Sequence, residues 1–123
     1  MSKYAIDETM PLVKPFVSLG NFIELPFPDQ VFDLVIALGV VYIFNLTDAV
    51  KCLKEIQRVT KGKSLVNLAT YETEEEYLLF KDWSLLGATM LRPEEWREVL
   101  KYAGYTGDYA FTGAKKLNLA RKV

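Results

Sequence analysis

The sequence predicts an α/β fold in which strands alternate with helices in a doubly wound, mostly parallel sheet with helices on both faces. The main observation is an almost continuously apolar run, Phe32–Val41, preceded by two prolines that exclude a helical start. A strand that is apolar on both faces must be covered on both faces, which is typical of a central parallel strand. Segments with helical spacing then alternate with further apolar runs, and this alternation indicates parallel crossovers.

Two short strands are predicted before this central strand. Lys3–Ile6 is the first, and it ends at Asp7. Two prolines in the following segment leave no stretch long enough for a good helix. Phe16–Leu19 is the second apolar run, and the Gly-Asn pair after it predicts a turn.

A long helix is predicted after the central strand. Asn45 or Thr47 can accept a hydrogen bond from an orphan amide and so cap the start of this helix. Its apolar positions recur at helical spacing: Leu46, Ala49, Val50, Leu53, Ile56 and Val59. Gly62 is predicted to end the helix, in the left-handed conformation that glycine adopts most easily.

The second half of the chain continues the alternation. Ser64–Thr70 reads as a strand, and Thr73 caps a helix that is apolar around much of its circumference and ends at Gly87. Pro93 is suited to the first position of another helix, which ends at Gly104.

The end of the chain changes to a strand-like period. The runs Tyr109–Phe111 and Leu117–Ala120 are separated by a Gly-Ala pair. This pattern predicts an antiparallel β-hairpin that completes the sheet.

Length and charge restrict the possible functions. The chain has 123 residues, half of them apolar, and this suits a single domain over residues 1–123. The formal charge of −1, with acids and bases interspersed, does not suggest a nucleic-acid partner. No apolar run is long enough to span a bilayer, and the N-terminus lacks the features of a signal peptide. A lone cysteine, Cys52, fits a reducing compartment, and we expect a cytoplasmic protein.

The sequence contains no histidine, which is the commonest general base and metal ligand. This excludes Ser-His-Asp and Cys-His catalysis and leaves no plausible zinc site, so no metal is expected. Cys52 lies within the first long helix, where a small buried residue is a better interpretation than a nucleophile. Any chemistry must therefore depend on carboxylates, tyrosines, lysines, backbone groups or a cofactor.

Several motifs together resemble a known family. They are NFIELPFPD at Asn21–Asp29, FDLV at Phe32–Val35, LKEIQRV at Leu53–Val59 followed by Gly62, and RPEEW at 92–96 leading to AGY at 103–105. This series is similar to class I S-adenosylmethionine-dependent methyltransferases, and in particular to the methyltransferase type 11 branch. The resemblance implies a Rossmann-like sheet that is incomplete, because the family's first strand and its GxGxG loop have no counterpart in this sequence.

The resemblance also implies a site for S-adenosylmethionine. It assigns cofactor contacts to Asp7, Asn21, Phe22, Leu38, Gly39 and Val40. The acid would bind the ribose hydroxyls, the Asn-Phe pair the adenine, and the backbone of the other three the methionine part. Tyr42 matches a position near the transferred methyl group. Plain structural interpretations stay open: a surface acid, a turn asparagine, a core phenylalanine, and a glycine that lets the chain leave the sheet.

The absent first strand has a physical consequence. In the family's sheet it lies between the second and fourth strands, so its loss exposes unpaired backbone groups beside apolar side chains. We predict one of two repairs. The N-terminal strand moves into the vacancy, or two copies form a homo-oligomer through the open edge.

Two hypotheses of different classes follow for the function. The first is methyl transfer from S-adenosylmethionine to an unidentified small-molecule acceptor, which depends largely on positioning and therefore does not require histidine. The alternative is a non-catalytic, methyltransferase-like module for binding or dimerisation, favoured by the missing glycine loop. A generic nucleotide binder is a weaker third idea, because no phosphate-binding motif is present.

Overall fold

The computed structural model describes residues 3–83 and 89–113. Four helices occur there: α1 (Lys3–Asp7), α2 (Leu46–Val59), α3 (Glu74–Trp83) and α4 (Pro93–Ala103). The three strands are β1 (Phe32–Ala37), β2 (Thr60–Ala69) and β3 (Asp108–Thr112). Two 3₁₀ turns complete the list, at Lys14–Phe16 and Val41–Ile43.

The strands form one parallel sheet in the order β1-β2-β3. Ile36 of β1 is in register with Leu65 of β2, and Leu68 of β2 is in register with Phe111 of β3. Helix α2 connects the first pair, and α3 and α4 lie between the second pair. The predicted α/β class, with a mostly parallel sheet, is confirmed.

The predicted position of the apolar strand is wrong in two respects. Strand β1 ends at Ala37, and it lies at an edge of the three-stranded sheet rather than at its centre. Its Leu34 and Ile36 side chains are 60% and 54% exposed, so the expected cover on that face is not found over the described part of the chain. An apolar pattern shows which surroundings a strand can tolerate, whereas the surroundings themselves depend on the neighbours that are present.

Helices α2 and α4 cover the other face of the sheet. The predicted stripe of α2 is confirmed from Ala49 onward, where Leu53, Ile56 and Val59 are buried, whereas Leu46 is exposed. Trp96 of α4 is fully buried, and its indole Nε1–H donates to the carbonyl oxygen of Ala69 over 2.6 Å. This bond satisfies the one polar group of a large core side chain, so the core can hold it without an unpaired donor.

The start of α2 resolves one alternative. Asn45 is the N-cap, and its Oδ1 accepts a hydrogen bond of 2.9 Å from the amide of Asp48. Of the two residues considered from the sequence, Asn45 therefore does the capping. The carboxylate of Asp48 lies in the first turn, where the helix dipole favours a negative charge.

The end of α2 differs from the prediction. The helix ends at Val59, and Thr60 is already extended as the first residue of β2. Gly62 lies inside β2, where a Cβ atom would come within 2.3 Å of the carbonyl oxygen of Asp33. The glycine is thus required by the close approach of β1 and β2, not by a helix cap.

Both short strands predicted near the N-terminus are wrong. Residues 3–7 form α1, where the amide of Glu8 donates to the carbonyl oxygen of Tyr4 over 3.0 Å. Phe16–Leu19 begins at the end of a 3₁₀ turn and continues without a strand partner in the described region. Helical bonds are local, so a segment without a neighbouring strand can still form them. Because residues 3–7 are helical, they do not fill the place of the missing strand.

The remaining elements agree with the sequence where the structure describes them. Thr73 Oγ1 accepts from the amide of Glu76 at the start of α3, and Gly104 ends α4 with a left-handed φ of 73°. The prediction that α3 ends at Gly87 lies outside the described residues. Strand β3 contains the predicted Tyr109–Phe111 run, whereas Leu117–Ala120 also lies outside the described residues, and the antiparallel hairpin is not confirmed.

None of the helices described here has the length and apolar character needed to cross a membrane.

Candidate functional site

The turn after β1 carries three of the residues that the sequence assigned to a site. Gly39 has a left-handed φ of 69°, a conformation that most side chains avoid. Its amide donates to Asn67 Oδ1 over 2.6 Å, which ties the turn to the carboxyl-terminal part of β2. Leu38 is 63% exposed, while Val40 packs against the core. The turn lies at the carboxyl end of parallel strands, where open α/β sheets bind their ligands.

Tyr42 lies next to this turn. A Cβ atom placed on Gly39 would be 3.7 Å from the Tyr42 hydroxyl oxygen, so the phenol is close to the glycine without crowding it. The Tyr42 ring packs edge-to-face on Phe80 of α3, with 6.2 Å between centroids. Its carbonyl oxygen accepts from the amide of Thr89 over 3.0 Å. The ring and the backbone of Tyr42 are thus both held in place.

Phe22 borders an apolar groove that runs along β1 from Phe32 to Ala37. Its ring packs edge-to-face on Phe44, with 6.2 Å between centroids. The groove has a volume of about 310 Å³, and both Phe22 and Val40 line it together with Ile36 and Ala37 of β1. Two of the residues assigned to cofactor binding, distant in sequence, therefore line one cavity.

Asn21 stabilises its own turn. Its Oδ1 accepts a hydrogen bond of 3.1 Å from the amide of Ile23, and its backbone pairs with Glu24. The turn interpretation of Asn21 accounts for these contacts. The residue still brings Phe22 to the groove, because it fixes the turn that contains that ring.

Asp7 takes part in none of the contacts given above for the Gly39 turn and the groove. It is the exposed last residue of α1, and its carbonyl oxygen accepts from Lys14 Nζ over 3.4 Å. The contacts found in the described regions do not connect Asp7 to the Gly39 turn or to the groove. The contacts therefore connect Phe22 to Val40 through the groove and Tyr42 to Gly39 through the turn, whereas the role predicted for Asp7 stays a prediction.

Asn67 is the site residue that the sequence interpretation missed. It stands between apolar neighbours in the run LVNLA, where a polar side chain needs a partner if it is half-buried. That single polar position in an otherwise apolar five-residue run was the available signal. The partner itself, the amide of Gly39, depends on how β1 and β2 are aligned.

Arg58 holds the LPFPD loop in position. Its guanidinium donates to both carboxylate oxygens of Glu55, to Asp29 Oδ1, and to the carbonyl oxygens of Leu25 and Phe27, over 2.7–3.1 Å. The hydrogen bonds from Arg58 are the main cause that lowers the pKa of Glu55. The fork geometry of arginine suits this arrangement, in which one side chain joins a helix to a loop. This network explains physically why the loop motif and the helix motif occur together.

Cys52 faces the core and lines the inner wall of the groove. It is 1% exposed, and burial is the main cause that raises its pKa to about 12, with the charge of Glu55 adding to the effect. A buried thiol that stays protonated is a poor nucleophile. The structure therefore supports the interpretation of Cys52 as a core residue.

Comparison with known proteins identifies the family. The family model described as a methyltransferase domain matches residues 2–67, which is more than half of the 123-residue chain. Curated proteins give no significant match. The matched region includes the LPFPD loop, all of β1 and α2, and most of β2. The sequence motifs, the parallel α/β sheet and this match agree, and the chain belongs to the class I S-adenosylmethionine-dependent methyltransferase family.

Proposed function

We propose that the chain binds S-adenosylmethionine at the carboxyl end of β1 and takes part in methyl transfer to a small-molecule acceptor. The observation that carries the proposal is the Gly39 turn, which is held by Asn67 and lies between the Tyr42 hydroxyl and the end of the strand that borders the apolar groove. Family membership supports the choice of cofactor. The carboxyl end of β1 is also where open parallel sheets generally bind their ligands.

The residues present fit one side of this cofactor. Phe22 and Val40 offer an apolar surface for a planar ring. The backbone that follows Leu38 is accessible at Gly39, because glycine has no side chain to cover it. Tyr42 offers a hydroxyl beside that turn. The ribose side fits less well, because the sequence has no GxGxG loop and no contact found for Asp7 reaches the Gly39 turn.

The role of this chain would be to bind and orient. The cofactor supplies an electrophilic methyl group when bound, so the protein has to align it and exclude water rather than supply a strong base. Tyr42 can accept or donate a hydrogen bond at the edge of the site. The acceptor is not identified by these residues.

Calorimetric titration with S-adenosylmethionine and S-adenosylhomocysteine tests the proposal. We expect measurable binding, weakened at least tenfold by Gly39→Ala. Gly104→Ala is the matched control, because Gly104 has a similar φ of 73° but lies at the end of α4, where a Cβ atom would have no other atom within 4 Å. A folded chain that shows neither heat nor a thermal shift with both compounds would refute the proposal. Equal losses in the two variants would show that strain alone, and not the site, explains the effect.

A second function has its own support. The amide of Gly39 and the side-chain oxygen of Asn21 are already hydrogen-bonded within the fold, and the sequence has no GxGxG loop. These observations favour a non-catalytic, methyltransferase-like module that acts through protein contacts. The titration separates the two functions, since only the first requires cofactor binding.

A further inference from the structure

The free edge of β1 is suited to pairing with another strand. Strand β1 hydrogen-bonds to β2 on one side only, and no strand among residues 3–83 and 89–113 pairs with its other side. Its sequence, FDLVIA, contains no proline or lysine, the residues that commonly protect strand edges. The one charge, Asp33, is offset by Lys61 Nζ at 3.2 Å. An edge with these properties favours the addition of a strand.

Both faces beside this edge are apolar. On the uncovered face, Leu34 and Ile36 are more than half exposed. On the side of α2, Phe22, Leu25 and Phe27 line the groove, which also extends around the edge to Leu34 and Ile36. A strand that pairs with β1 points alternate side chains to these two faces. The occupant must therefore be apolar on both of its faces.

We propose that the occupant is β1 of a second copy of this chain, paired antiparallel about a two-fold axis. Strand β1 itself is apolar on both faces and has a free edge, whereas β2 is already paired on both sides. A two-fold contact uses the same surface of both subunits and leaves no open edge at this position. The result is a continuous sheet that joins the three described strands of one copy to those of the other. This inference does not depend on cofactor binding.

Charge and register support a self-contact. In one register, side chains from the same face of each copy lie on the same face of the joined sheet. This register places Val35 opposite Val35 of the second copy, and Leu34 opposite Ile36 of the second copy. Asp33 then lies opposite Ala37, and the two Asp33 residues are four positions apart, or about 13 Å along the strand. The formal charge of −1 per chain produces little repulsion between copies.

Sedimentation of the purified chain over a range of concentrations tests the inference. We expect a reversible dimer, and Ile36→Lys should weaken it at least tenfold because a charge would then lie in the new sheet face. Leu78→Lys on α3 is the matched control, since Leu78 is 55% exposed and Ile36 is 54% exposed. Circular dichroism confirms that both variants fold. A wild-type chain that stays monomeric overturns the proposal, as does a dimer disrupted by Leu78→Lys and not by Ile36→Lys.

Cysteine pairing provides an independent measurement. Val35→Cys should form an intermolecular disulfide under mild oxidation, because opposed residues of antiparallel strands have Cα atoms about 4.5–5.5 Å apart. The native Cys52 is buried and should not compete. Leu78→Cys is the control and should stay reduced. If Leu34→Cys, Val35→Cys and Ile36→Cys all stay reduced, then β1 does not pair with itself.

Discussion

Replacing Gly62 with alanine should separate β1 from β2. The new methyl carbon would lie 2.3 Å from the carbonyl oxygen of Asp33 and 3.2 Å from its carbonyl carbon. A carbon–oxygen contact normally needs about 3.3 Å, so the strands must move apart by about 1 Å at this point. Both atoms on the β1 side belong to the backbone, so no rotamer change can relieve the contact.

The cost follows from the bonds that this movement breaks. A shift of about 1 Å removes one or two hydrogen bonds between β1 and β2, at about 1 kcal/mol each, and loosens the packing of an edge strand. Alanine lowers the entropy of the unfolded chain, which returns about 0.4–1 kcal/mol. We therefore expect Gly62→Ala to lower the free energy of unfolding by about 1 kcal/mol.

Urea unfolding followed by far-UV circular dichroism measures this change, and Gly104 provides the control. Gly104 has a φ of 73°, and a Cβ atom added there would meet nothing within 4 Å, so Gly104→Ala should cost about 1–2 kcal/mol from backbone conformation alone. Asparagine tolerates the left-handed region, so Gly104→Asn should recover part of this loss. Gly62→Asn should be no more stable than Gly62→Ala, because the Cβ atom of either residue would collide with the carbonyl oxygen of Asp33.

The opposite pattern would refute this reasoning. If Gly62→Ala were as stable as the wild type, the close approach of Asp33 and Gly62 would be incorrect. If Gly62→Asn recovered stability, Gly62 would be acting as a left-handed helix cap, as the sequence pattern alone suggested.

Three other predictions concern side chains around the groove and the site. Arg58→Lys should speed proteolysis of the 25–29 loop several-fold, because lysine cannot donate hydrogen bonds to all five acceptors of Arg58. Arg58 also lowers the pKa of Glu55. The stability from this pair should therefore be lost as the pH falls below 4.5, the ordinary pKa of a glutamate. Asn67→Leu should make hydrogen exchange of the Gly39 amide, measured by NMR, about tenfold faster, because the hydrogen bond to Asn67 Oδ1 is lost. Asn67→Asp should keep this hydrogen bond and the slow exchange. Cys52 should react with thiol reagents only in denaturant, because the thiol is buried. Burial also raises its pKa from 9.0 to about 12, so the stability that depends on the protonated thiol is present below pH 9.0 and is lost as the pH rises towards 12. Denaturation measured at a series of pH values would show this loss.

Local chemistry explains most of the correct predictions. The apolar stripe of α2, its Asn45 cap, the left-handed Gly104 and the start of α4 at Pro93 all depend on residues within one or two turns. Such features can be recognised from sequence because helical bonds and caps join near neighbours.

The errors occur where a distant partner decides the outcome. Lys3–Ile6 has a strand-like composition but no strand beside it, and it is helical. The role of Gly62 depends on the carbonyl oxygen of Asp33, a residue of another strand. For the candidate site, the motif identified Gly39 and Phe22, whereas the contact between Gly39 and Asn67 joins two strands and could not be read from either alone.

The sequence by itself determined the α/β class, the family, where α2 begins and where α4 ends. Each of these depends on apolar periodicity, a cap or a motif, and such patterns lie within short segments of the chain. Tertiary structure decided that β1 is an edge strand, that Gly62 serves strand contact, and that Asn67 holds the Gly39 turn. The physical reason is that an edge, a steric contact and a binding site each exist only between segments, and their geometry is set when those segments pack together.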